Sequence, residues 1–200
     1  MNPLLAAAVA LTLAACTSPR VADSDATRPT DQDPDAMMLF DFDDETGSGG
    51  GADRWQIQND GVMGGRSEGR FAIADGALAF TGTLVTRGGG FSSVLTETDV
   101  DLSDYEGVEL RVRGGGRTFA FAVHDGRRDR GREVWRRAPF PTTEEWTRVR
   151  VPFADLKATA HGEPVDVPPL DRAGVELLGF YIIDGIDGTF RLEVDEVRCY

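Results

Sequence analysis

The sequence predicts an all-β domain, a sandwich of jelly-roll type, on three observations. Apolar side chains recur at every second position over much of the chain. Glycines paired with Asp or Asn punctuate these runs at short intervals. Apolar spacing of helical period is almost absent.

Taken in order, Phe71 and Ile73, then Leu78 and Phe80, read as two half-buried strands joined by Ala74-Asp75-Gly76. Val108, Leu110 and Val112 alternate with Glu109, Arg111 and Arg113, so the apolar set takes one face and the charged set the other. Phe119, Phe121 and Val123 follow the same rule with small residues between them, and the run ends at His124-Asp125-Gly126. Val149 and Val151 alternate with Arg148 and Arg150, after which Phe153–Lys157 is the best short helical candidate. Leu177–Ile183 is nearly all apolar and fits a central strand covered on both faces. Past Asp187-Gly188, the residues Phe190, Leu192 and Val194 alternate with Arg191, Glu193 and Asp195. About ten short strands in one domain, spanning residues 37–200, is the expectation.

Two appendages precede this body. Leu4–Ala15 is uncharged and too short to span a bilayer, which takes about 20 helical residues, but it suits the apolar core of a signal peptide covering residues 1–15. Leu13-Ala14-Ala15-Cys16 resembles the bacterial lipobox, which makes Cys16 the expected lipidation site and the first residue of the mature chain. Thr17 carries no charge, so an acidic inner-membrane retention signal is absent. Residues 16–36 hold five Asp and hardly any apolar side chains, which is the composition of a flexible acidic stalk. The expected location is therefore the bacterial envelope, lipid-anchored in the outer membrane and facing the periplasm or the surface.

Composition narrows the function. The formal net charge of −13 argues against nucleic acid, whose phosphates need a basic surface. Cys16 and Cys199 are the only cysteines, which excludes a disulfide scaffold or a tetrahedral cysteine zinc site within one chain. With Cys16 acylated, Cys199 is expected to be a free, inert thiol. Only His124 and His161 are present, and neither lies in an HExxH pattern. No CxxC pair exists, and the many carboxylates show no spacing that singles out an acid and a base. Gly47–Ala52 formally fits GxGxxA but leads into no helix, so no cofactor is expected. Asp41, Asp43, Asp44 and Glu45 lack an EF-hand arrangement and read as a solvated strand end, so no metal is expected either.

The densest local signal is Asn59-Asp60-Gly61-Val62-Met63-Gly64-Gly65-Arg66-Ser67, in which Asn59, Asp60, Arg66 and Ser67 form either a structural corner or a binding loop. Together with Trp55, Gly89-Gly90-Phe91, Leu110–Gly114, Arg117, Phe140, Trp146, Val151-Pro152-Phe153 and Gly188–Asp195, this run resembles the complex I (NADH:ubiquinone oxidoreductase) intermediate-associated protein 30 family. The resemblance extends from about Met37 to Tyr200. It departs at Gly115, where the family has Asp, and at Leu156 and Glu196, where aromatic residues are usual. It implies a galactose-binding-like β-sandwich and a non-catalytic assembly chaperone.

Two readings result. One is a non-enzymatic binding or assembly-chaperone module holding an envelope protein or assembly intermediate. The other is a carbohydrate-binding module. If Val134 faces the core, Trp135 is exposed beside Glu133 and Arg137 and offers a sugar-stacking ring. Trp55 and Trp146 are expected to be packing residues. Arg111 and Arg113 project from the face opposite the core, and Arg117 lies just past the glycine turn. Trp135 and Arg137 share that outer surface if the strand near Val134 pairs nearby, so that the arginines form a positive patch that binds a partner or else pair with acids on neighbouring strands.

Overall fold

The structure is a computed structural model that describes residues 36–43 and 51–200. The signal peptide, Cys16, nearly all of the stalk, Asp44, Glu45 and residues 47–50 lie outside the described residues.

The described residues form fifteen strands. The first five are β1 (Met37–Asp41), β2 (Trp55–Asn59), β3 (Glu68–Ala74), β4 (Ala77–Leu84) and β5 (Ser92–Glu97). Next come β6 (Gly107–Arg113), β7 (Thr118–His124), β8 (Arg128–Asp129), β9 (Arg132–Glu133) and β10 (Trp135–Pro141). The last five are β11 (Thr147–Pro152), β12 (Lys157–Ala160), β13 (Glu163–Pro164), β14 (Leu177–Ile182) and β15 (Gly188–Cys199). Helical structure among the described residues is confined to single 3-10 turns at Ala52–Arg54, Asp60–Met63 and Phe153–Asp155. The Phe153–Lys157 candidate is thus one turn, and Lys157 already belongs to a strand.

Two antiparallel sheets make a jelly-roll sandwich. One has six strands in the order β11-β6-β15-β4-β3, with β1 paired to β15, and the other has seven in the order β13-β12-β10-β7-β14-β5-β2. The β8–β9 hairpin stands apart. As the alternation requires, Val108, Leu110, Val112, Leu78, Phe80, Leu192 and Val194 are fully buried on the inner face of the six-stranded sheet. Phe119, Phe121, Val123, Leu178, Phe180 and Ile182 meet them from the other sheet in one continuous cluster. Trp55 is buried in that cluster, its ring 5.2 Å from Phe40. β14 lies between β5 and β7, the central position expected of it.

Local chemistry accounts for the connections. In the β3–β4 hairpin Asp75 and Gly76 adopt φ of 52° and 71°, the left-handed pair that matches strand twist. On β15 the register slips between Val194 and Glu196, so Asp195 and Glu196 both leave the core before Val197 and Cys199 return to it. The bulge is why alternation lapses near the C-terminus while Cys199 stays fully buried.

Candidate functional site

The Asn59–Ser67 run is a structural corner. Asp60 is fully buried, and its carboxylate accepts hydrogen bonds from Ser67 N (2.9 Å), Ser67 Oγ (2.6 Å), Gly90 N (2.7 Å) and Phe91 N (3.4 Å). Burial alone would raise its pKa, but these donors outweigh that effect and hold it below the ordinary value. Asn59 Oδ1 accepts from Gly69 N and Ser92 Oγ, so both side chains turn inward. A Cβ on Gly65 or Gly89 would lie within 2.6 Å of an Asp60 carboxylate atom, which explains the glycines. Arg66 alone of the four residues is exposed.

The pairing that would have put Trp135 and Arg137 beside Arg111 and Arg113 does not occur. Arg111 and Arg113 lie on the outer face of the six-stranded sheet, whereas Trp135 and Arg137 lie on the outer face of the seven-stranded one, because β10 pairs with β7 and β12 rather than with β6. Cross-strand pairing with acids explains the first pair. Arg111 bonds Asp195, and Arg113 holds Glu193 through Nε at 2.5 Å and Nη2 at 3.0 Å. Trp146, expected in the core, is instead partly exposed with both guanidiniums over its ring, at 4.9 and 4.7 Å. Arg117 is a clamp. It grips Asp184 at 2.6 and 2.8 Å and donates to the carbonyls of Thr189 and Ile186, fixing the turn after β14.

On the seven-stranded sheet the outer face is indented, because Ala120, Ala122 and Gly179 put small groups at its centre. Trp135 and Tyr181 settle into the indentation with ring centroids 5.6 Å apart, and Trp135 also lies 5.1 Å from His124. Trp135 does point away from the core opposite Val134, as its register requires, but it is only 8% exposed because these rings and the bed beneath them cover it. The sugar-stacking reading therefore loses the free ring it relied on. Arg137 lies 4.2 Å above the Tyr181 ring.

Over these residues runs a groove of about 1030 Å³. Phe91 and the glycines before it, Arg128 and Arg132 of the hairpin, Lys157, His161 and Ile183 add to its lining. Asp60 pins the Gly90–Phe91 segment, so the corner supports this part of the groove wall. Tyr181, Lys157 and Ile183 escaped the sequence reading. Tyr181 is the one hydroxyl-bearing side chain in an otherwise apolar strand, and that was its only signal. Among the described residues no group of three or more His, Cys, Asp or Glu side chains is placed to hold a metal ion.

The jelly-roll sandwich is an architecture shared with carbohydrate-binding modules. The family 11 module of a Clostridium thermocellum cellulosomal cellulase superposes with a TM-score of 0.60 at 15% identity, over 82% of this chain and 93% of that one. The same module with a β-1,3-1,4-mixed-linked tetrasaccharide gives the same score and identity, over 94% of its own chain. By sequence the chain belongs to the complex I intermediate-associated protein 30 family, whose model matches residues 40–194. It is 26% identical over 171 residues to the mouse (Mus musculus) mitochondrial complex I intermediate-associated protein 30, a match covering 74% of this chain. The chain spans about half the length of that relative, 52%.

Proposed function

We propose that this protein is a non-enzymatic binding module of assembly-chaperone type, which holds a protein partner or assembly intermediate in the groove of its seven-stranded sheet. The groove carries the reading, since it is a large concave site lined by aromatic and charged side chains. Family membership supports an assembly role, with a complex I intermediate as the first partner to try. The chain is tethered to the bacterial envelope through acylated Cys16, with two or more acyl chains giving stable anchorage. A Cys16→Ser chain is expected to leave the membrane fraction, and its retention there without lipid mass refutes the tether.

The partner site is tested by photo-crosslinking from position 183, in the groove, and from position 146, on the opposite sheet. Capture of one defined protein from position 183 alone supports the groove. Equal capture from position 146, or from neither, refutes it. The glycan alternative draws on the shared fold, and titration with a β-1,3-1,4-mixed-linked tetrasaccharide tests it. Saturable quenching of tryptophan fluorescence supports that alternative.

A further inference from the structure

Arg137 and Lys157 face each other directly across β10 and β12. Like charges opposite one another on a sheet repel and destabilise the pair. Neither forms an ion pair among the described residues, and the guanidinium's contacts are with neutral groups, Thr159 Oγ1 at 3.4 Å and the phenol of Tyr181. By contrast, all six arginines of β6, β11 and β15 on the other sheet are matched to carboxylates. A chain of net charge −13 has no shortage of acids, and the two that line the groove, Glu133 and Asp184, are engaged by Arg128 and Arg117 rather than by this pair.

The guanidinium is also held in place. Its plane is supported by Tyr181, the Tyr181 ring is wedged against Trp135, and Nε is shielded from water with no hydrogen-bond partner. Two uncompensated cations, one a preorganised planar fork, are the chemistry that receives a carboxylate.

We infer that the groove recognises an acidic segment of a partner protein, with Arg137 and Lys157 together receiving an Asp or Glu side chain of that segment. This inference rests on the groove being the partner site. The geometry suits an extended peptide. From Gln58 on β2 to Lys157 on β12 the groove crosses six strands, about 24 Å at ~4.8 Å spacing, which is about seven residues of extended chain. Ile183, 44% exposed in the lining, offers an apolar contact beside the charges. A sugar ring would find both floor aromatics covered, with Tyr181 only 2% exposed beneath Arg137.

The test selects binders from a randomised octapeptide library with the full chain, then measures the best peptide by fluorescence anisotropy. Enrichment of Asp or Glu at one position or more is expected. Arg137→Gln and Lys157→Gln should each weaken that peptide at least tenfold, and Arg148→Gln on the opposite sheet should leave it unchanged. Lys157 is exposed, so its substitution keeps the test sound even if the Arg137 variant unfolds. Peptides without acids that compete for the groove and ignore both substitutions overturn the inference while leaving the groove as the partner site. A library that yields no binder overturns both. Tetragalacturonate bound through Arg137, with no acidic peptide enriched, moves the carboxylate onto a glycan and overturns the protein partner.

Discussion

Asp60→Asn is the most informative single change to the fold. Asp60 Oδ2 accepts from Ser67 Oγ, Gly90 N and Phe91 N, while Oδ1 accepts from Ser67 N. An asparagine can keep only one of these oxygens. With its carbonyl toward Ser67 N, its amide hydrogens confront Gly90 N–H, and the flipped arrangement confronts Ser67 N–H instead. At least one charge-assisted bond, worth roughly 1.5–3 kcal/mol, is lost, and one buried N–H is stranded at roughly 1–3 kcal/mol. The expected loss is about 4 kcal/mol, which for a domain of this size lowers the thermal midpoint on the order of 10 °C. Urea denaturation should show a lower midpoint with unchanged slope. The pH dependence supplies the second half of the test. The folded carboxyl binds its proton less tightly than the unfolded one, whose pKa is near 3.8, so its contribution is complete above that value and fades as pH falls through the lower folded value. The gap between wild type and Asp60→Asn should therefore narrow in acid. A loss below about 1 kcal/mol, or a gap independent of pH, would refute the corner as an ionised hydrogen-bond hub.

Gly65→Ala and Gly89→Ala each drive a Cβ into the Asp60 carboxylate, at 2.1 and 2.5 Å, so each should lower the thermal midpoint, and less so in an Asp60→Ala background. Equal losses in both backgrounds would contradict that contact. Burial pushes the Cys199 thiol up to about 12, so alkylation at pH 8 should proceed only as fast as the protein unfolds, and fast labelling without denaturant would overturn this. Hydrogen bonds from Arg191 and Arg113 lower the Glu193 pKa to about 2, so its contribution is complete above about 4.5 and disappears as pH falls toward 2. Arg113 and Arg191 are 40% and 60% exposed, and solvent screening reduces that contribution to about 1–2 kcal/mol. Wild-type and Glu193→Gln stability curves should converge near pH 2, and parallel curves between pH 6 and 2 would contradict the assignment.

The inward set of each strand was legible in the sequence because side chains alternate with period two whatever the strand's neighbours. Val108, Leu110 and Val112, or Phe190, Leu192 and Val194, could only turn their apolar faces to the core. Turn chemistry was equally local, since Asp75-Gly76 meets the left-handed requirement of its hairpin from its own two residues. Alternation does not say which sheet a strand joins, and on that point the sequence reading failed. Arg111 and Arg137 both follow the outward register of their strands, but β6 and β10 were assigned to opposite sheets by pairings between residues far apart in the chain. Nor does period two measure exposure on an outer face. Trp135 points outward and is covered, because small residues on β7 and β14 leave a bed that Tyr181 and the indole fill together. Trp146 shows the converse, a large aromatic left partly exposed under two arginines. The groove exists only once six strands lie side by side, and Arg137 faces Lys157 only because β10 pairs with β12, so long-range pairing, which no local pattern encodes, decided where this protein has its groove.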